Sequence, residues 1–108
     1  DHQALLSRLH GKKDRMKRLL DRFNEDIPDE VTKACDAILR GDLETVASVC
    51  HLIKGVAGNM QAKGLMAIAA QLENLARNNE KPQSTHVIEL QKQFNFVVNA
   101  LMAYEVSD

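Results

Sequence analysis

A chain of 108 residues can enclose one hydrophobic core but not two, so a single domain spanning 1–108 is expected. Fourteen basic against fifteen acidic side chains leave a formal charge of -1, and lysines and arginines cluster only briefly between Lys12 and Arg18, which argues against nucleic acid as a partner. Aromatic residues are only 4% of the chain and Trp is absent, so Leu, Val, Ile, Ala and Met must build the core, a composition suited to helices rather than strands.

No apolar run approaches the ~18 residues of a membrane span, and the first residues lack the pattern of a secretory leader. Cys35 and Cys50 both fall on predicted apolar faces, with no Cys-x-x-Cys or His-rich companion, and read as reduced thiols of a cytoplasmic protein. The chain opens on Asp1 rather than Met, as an excised piece of a larger protein would.

Residues 2–9 offer Leu5, Leu6 and Leu9 as a short amphipathic segment able to cap one end of a bundle. Gly11 separates it from a helix expected over Lys12 to Asn24, where Met16, Leu19, Leu20 and Phe23 fall at i, i+3, i+4, i+7. Asp26-Ile27-Pro28-Asp29-Glu30 then reads as the start of another helix, with Pro in the first turn and acids at the positive end of the dipole. Val31, Ala34, Cys35, Ile38 and Leu39 give that helix its apolar face, and Gly41 ends it.

The stretch 42–60 is the one around which the chain is organised. Asp42 is placed to cap it, and Leu43, Val46, Cys50, Ile53, Ala57 and Met60, spaced 3, 4, 3, 4, 3, draw an apolar seam down a helix. At 100° per residue, Glu44, Ala47, His51, Lys54, Gly55 and Gly58 gather within about 60° of one another on a different side, roughly 130° from the seam. Each mid-helix glycine costs about 1 kcal/mol relative to alanine, which implies a need for space beside His51.

A turn over 59–64 leads to a helix from Ala62 or Leu65 to Asn79, with Leu65, Ile68, Leu72 and Leu75 on its seam and Met66, Ala69, Ala70, Glu73, Ala76 and Arg77 on the adjoining face. Asn78 to Pro82 is a break, and Ser84 or Thr85 caps a last helix built on Val87, Leu90, Phe94, Val97, Leu101 and Tyr104. There is no strand signal and no repeat. The expected fold is all-α, an antiparallel four-helix bundle with one or two additional short N-terminal helices.

His51-Leu52-Ile53-Lys54-Gly55, then Ala57-Gly58-Asn59-Met60, Leu65 and Leu72-Glu73, resembles the motif of histidine phosphotransfer (HPt) domains. Leu20-Asp21-Arg22-Phe23, Pro28 and Arg40-Gly41-Asp42-Leu43 resemble the family's lead-in, so the likeness spans roughly residues 14 to 77. It implies a phosphorelay carrier in which His51 accepts a phosphoryl group from a receiver-domain aspartyl phosphate and passes it to a response-regulator aspartate. The implied partners are the receiver domains of a sensor kinase and of a response regulator. The domain itself would be a cytoplasmic monomer without cofactor, Mg²⁺ belonging to the receiver. It would stand alone or end a membrane-bound hybrid sensor kinase. Two positions depart from the family pattern: Gln61, where glycine or another small residue is usual, and Cys50, where alanine is common.

The chemistry assigns roles to the rest of the motif. A neutral imidazole is an effective nucleophile near pH 7, and a carboxylate accepting from Nδ1–H would fix its tautomer and leave Nε2 free to attack. Glu73 is the candidate orienter: the turn over 59–64 allows it to return antiparallel beside His51, and the family places Glu or Gln there. Lys54, one turn from His51, can set its ammonium against phosphoryl oxygens. Gly55 and Gly58 would give a docking partner clearance, Gln61 lies at the helix end of that surface, and Arg77 pairs either with Glu73 or with the partner. Leu5, Leu9 and Met66 would extend the surface. His2, His10 and His86 read as surface or capping residues. No Gly-rich phosphate loop is present, so ATP-dependent kinase activity is not expected. The competing readings are a non-catalytic helical adaptor that binds a receiver or another protein, and a metal or haem bundle. The second would need His51 to face inward, against the seam.

Overall fold

The computed structural model describes residues 13–107, in which four helices make up the fold: α1 (Lys13–Arg40), α2 (Leu43–Asn59), α3 (Lys63–Arg77) and α4 (Ser84–Ser107). Each helix packs against its neighbours in sequence, α1 and α4 close the ring, and α2 with α3 is the most extensively joined pair. Short connections reverse the chain each time, giving an all-α antiparallel bundle with no strand among the described residues. The segment 2–9, with Leu5 and Leu9, lies outside the described residues, as do the side chains of Met16, Leu19, Leu20 and Tyr104.

The two helices expected on either side of residues 25–27 are one helix of 28 residues with Pro28 inside it. At 1.5 Å per residue α1 is about 42 Å long, and it sets the 43 Å long axis of the molecule. Proline removes one backbone bond and crowds the preceding turn, a cost of about 3 kcal/mol. The stripe that runs through it outweighs that cost: Phe23, Ile27, Val31, Ala34 and Ile38 lie on one side of the rod and are all buried, at about 1.5–3 kcal/mol for each large side chain. Pro28 itself faces solvent. Leu39, expected on this stripe, is 78% exposed; at 100° per residue it lies about 120° from the line of Ile27, and Ala37 takes the buried place instead. Phe23 stacks on Phe94 with ring centroids 5.6 Å apart, tying α1 to α4.

Asp42 caps α2: Oδ1 accepts from the Thr45 backbone N–H at 3.2 Å and Oδ2 from the Thr45 hydroxyl at 2.7 Å. Val46, Cys50, Ile53, Ala57 and Met60 are buried along the seam, with Leu43 packed at its edge. Burial extends further than a narrow seam, to Ala47, Val49 and Val56, because α2 has a helix on each side. Ala47 therefore belongs to the packing surface and not to the open ground beside His51.

The first three helices end alike. Gly41 (φ 73°), Gln61 (φ 55°) and Asn79 (φ 59°) each adopt the left-handed conformation. The following amide of each donates back across the last turn, Asp42 to Ala37, Ala62 to Ala57 and Glu80 to Leu75, at 2.8 to 2.9 Å. This is the Schellman arrangement, whose left-handed residue is by preference glycine. Gln61 thus departs from the family pattern at a position with a backbone reason for glycine.

The last helix is capped neither by Ser84 nor by Thr85. The Gln83 carbonyl accepts from the His86 backbone N–H at 3.0 Å, and His86 Nδ1 accepts from the Gln83 N–H at 2.9 Å. The exchange has the reciprocity of a capping box, with imidazole in place of the usual Glu or Gln.

Candidate functional site

His51 stands on the outward side of α2 with its side chain 64% exposed. Across from it, α3 presents Glu73 between the buried Ala69, Leu72 and Ala76, and the carboxylate is only 4% exposed. Small residues around Glu73 let the two helices approach closely, so the acid lies in the interface rather than at its edge. His51 Nδ1 and Glu73 Oε2 are 2.9 Å apart.

Glu73 gathers two cations as well. Lys54 Nζ lies 2.7 Å from Oε1, an ion pair without regular hydrogen-bond geometry. Arg77, one turn along α3, sets Nε at 2.9 Å and Nη2 at 2.7 Å from Oε2. Lys54 foremost, then Arg77 and His51, hold the Glu73 carboxyl down to about 2 against the opposing effect of burial. An ionised carboxylate can only accept, so Nδ1–H is the donor of this contact. In the neutral ring that leaves the lone pair on Nε2, on an exposed side chain.

Of the expected site residues, His51, Lys54, Glu73 and Arg77 therefore form one cluster, while the docking positions divide. A Cβ on Gly55 would meet nothing within 4 Å, so the space beside it is open. A Cβ on Gly58 would lie 3.3 Å from Met66 Sδ, so this glycine makes room for a side chain of α3, and both Gly58 and Met66 belong to packing. Gln61 belongs to the turn described above. Leu52, beside His51 in sequence, is 38% exposed, an apolar side chain next to the imidazole that periodicity alone did not single out.

Cys50, directly before His51, is fully buried, and burial first, with the Glu73 charge second, pushes its thiol up to about 12. It is no competing nucleophile at neutral pH. The open groove lined by Gly64, Lys92, Gln93, Asn95, Phe96 and Asn99 shares no residue with the cluster. Among the described residues no group of three or more His, Cys, Asp and Glu is arranged to hold a metal ion, and no helix is long and apolar enough to cross a membrane.

A family model described as Hpt domain matches residues 18–103. No curated protein and no solved structure matches the chain. With four-fifths of its length matched by that model, the chain belongs to the Hpt domain family, the phosphotransfer carriers of two-component signalling.

Proposed function

We propose that His51 is the phosphoryl acceptor of this domain and that Glu73 and Lys54 serve it. The observation that carries the proposal is the 2.9 Å contact between Nδ1 of an exposed imidazole and a buried, ionised carboxylate. The Nε2 lone pair attacks the phosphorus of a receiver's aspartyl phosphate in line. The new N–P bond forms as the P–O bond to the aspartate breaks, and the electron pair leaves with the aspartate carboxylate. The ring keeps its Nδ1 proton and gains positive charge, which Glu73 offsets, as the buried acid of a catalytic triad offsets an imidazolium. Lys54, one turn away, neutralises phosphoryl oxygens. The reverse sequence delivers the group to the aspartate of a second receiver.

Open space at Gly55 gives the receiver's aspartate its approach, and Leu52 offers it an apolar contact. Mg²⁺ is supplied by the receiver in this scheme, and the relay operates in the cytoplasm. Incubation with a phosphorylated receiver should place one acid-labile, base-stable phosphate on the chain. His51→Gln should abolish the label, and Lys54→Ala should slow its appearance without unfolding the domain. Label on the His51→Gln variant equal to the parent would overturn the assignment. A receiver that binds tightly but never labels the parent would make the chain an adaptor.

A further inference from the structure

The two cations on Glu73 are held differently. Arg77 rises from the same helix as Glu73, four residues on, and brings two nitrogens of its planar fork to a single oxygen. Lys54 comes from α2 on a flexible stem, with its side chain 36% exposed, and touches the other oxygen without regular hydrogen-bond geometry. It also lies one turn from His51. A phosphoryl group bound to Nε2 would carry close to two negative charges and would compete for the ammonium against a carboxylate that carries one.

Once the ammonium is drawn off, Glu73 is left with Arg77 and the imidazole. A buried carboxylate stripped of its cations is driven to take up a proton, and a neutral acid does not offset the positive charge of the ring. Arg77 is placed to prevent this, because it reaches Oε2 from the same helix while Lys54 touches Oε1.

Resting on the reading of His51 as acceptor, we propose that Arg77 is a positioning residue. It keeps Glu73 ionised and aimed at His51 Nδ1 while Lys54 passes from Glu73 to the phosphoryl group. Arg77 then acts through Glu73, and the docking role considered for it from the sequence is not required.

The test needs no receiver. Uniformly ¹⁵N-labelled domain is prepared as the parent, as Lys54→Gln, as Arg77→Gln, and as the double variant. The tautomer of His51 is then read from its ring nitrogens above the imidazole titration. Lys54→Gln imitates the state with the ammonium gone, and it should keep the Nδ1–H form of the parent. The double variant should lose that form to a mixture of tautomers, and Lys54→Gln with Arg77→Lys should recover part of it. The second readout is labelling by phosphoramidate, in which the N–P bond at Nε2 forms as ammonia leaves. Arg77→Gln should be labelled on the order of tenfold more slowly than the parent, and Arg77→Lys should regain part of the rate.

Both side chains are partly exposed, Arg77 at 56% and Lys54 at 36%, so the substitutions leave no core cavity, and amide spectra verify the fold. A double variant with the same tautomer as Lys54→Gln, or an Arg77→Gln variant labelled at the parental rate, would overturn the proposal. A parent that no phosphorylated receiver labels would instead refute the carrier reading, and the tautomer measurement would still decide the part played by Arg77.

Discussion

Gly55 allows stability and function to be pulled apart. It lies in the middle of α2, faces solvent, and an added Cβ would touch nothing within 4 Å. Gly55→Ala therefore changes no contact, and the whole intrinsic difference between the two residues in a helix should appear as stability, about 1 kcal/mol in favour of alanine. In a domain of this size that amounts to a rise of about 4 °C in melting temperature. Gly58→Ala is the internal control. It gains the same propensity, but its Cβ would lie 3.3 Å from Met66 Sδ, so the thioether must give way and the net gain should be smaller. A longer residue tests the clearance. Gly55→Gln keeps most of the helical gain yet fills the ground where a receiver must come, and a misplacement of about 1 Å is enough to slow transfer on the order of a hundredfold. Thermal melts followed by circular dichroism give the first quantity, and initial rates of labelling by a phosphorylated receiver give the second. Labelling by phosphoramidate, which needs no docked partner, should fall much less. A Gly55→Ala protein that melts no higher than the parent would refute the open-space reading. Parental receiver rates in Gly55→Gln would refute the clearance reading.

Gln61→Gly should stabilise the domain by roughly 1 kcal/mol, because a left-handed φ of 55° strains any residue with a Cβ; a denaturant titration with an unchanged slope would measure it. Glu73→Gln should remove an acid-dependent part of the stability. The folded carboxyl titrates at about 2 against an ordinary 4.5, so its contribution is complete above pH 4.5 and disappears as pH falls towards 2. The difference in unfolding midpoint between parent and Glu73→Gln should accordingly be constant at neutral pH and shrink across that window. A difference that does not change there would mean that Glu73 is not held ionised by its neighbours.

The architecture was legible because the apolar residues of α2, α3 and α4 repeat at 3 and 4, and most residues so marked are buried, from Val46 and Cys50 to Leu65, Leu72, Leu90 and Val97, while Leu43, Leu75, Val87 and Phe94 are half-buried. The reactive pair was legible for a different reason. His51 and Glu73 are 22 residues apart, and a helix, a tight turn and a returning helix bring such positions level. The continuity of α1 was not legible, since Pro28 is a sound local signal for a helix start, and only the stripe on both sides of it, fixed by packing, overrides that signal. Gly58 and Gly55 look equivalent in sequence, and it takes the path of Met66 to separate them. The sharing of one carboxylate between Lys54 and Arg77 depends on side-chain direction across two helices, which spacing along one helix does not encode.

The two atoms whose separation matters most ride on α2 and α3, which are linked by Met60, Gln61 and Ala62 alone. Their alignment is thus the property of a hairpin, and the outer helices enter it only as support. Tension applied at either terminus would load α1 or α4 before it reached the imidazole, so the reactive geometry is mechanically insulated from whatever pulls on the chain. Amide exchange should find the innermost turns of this hairpin among the last to open, with the relay atoms still in register when the flanking helices have begun to fray.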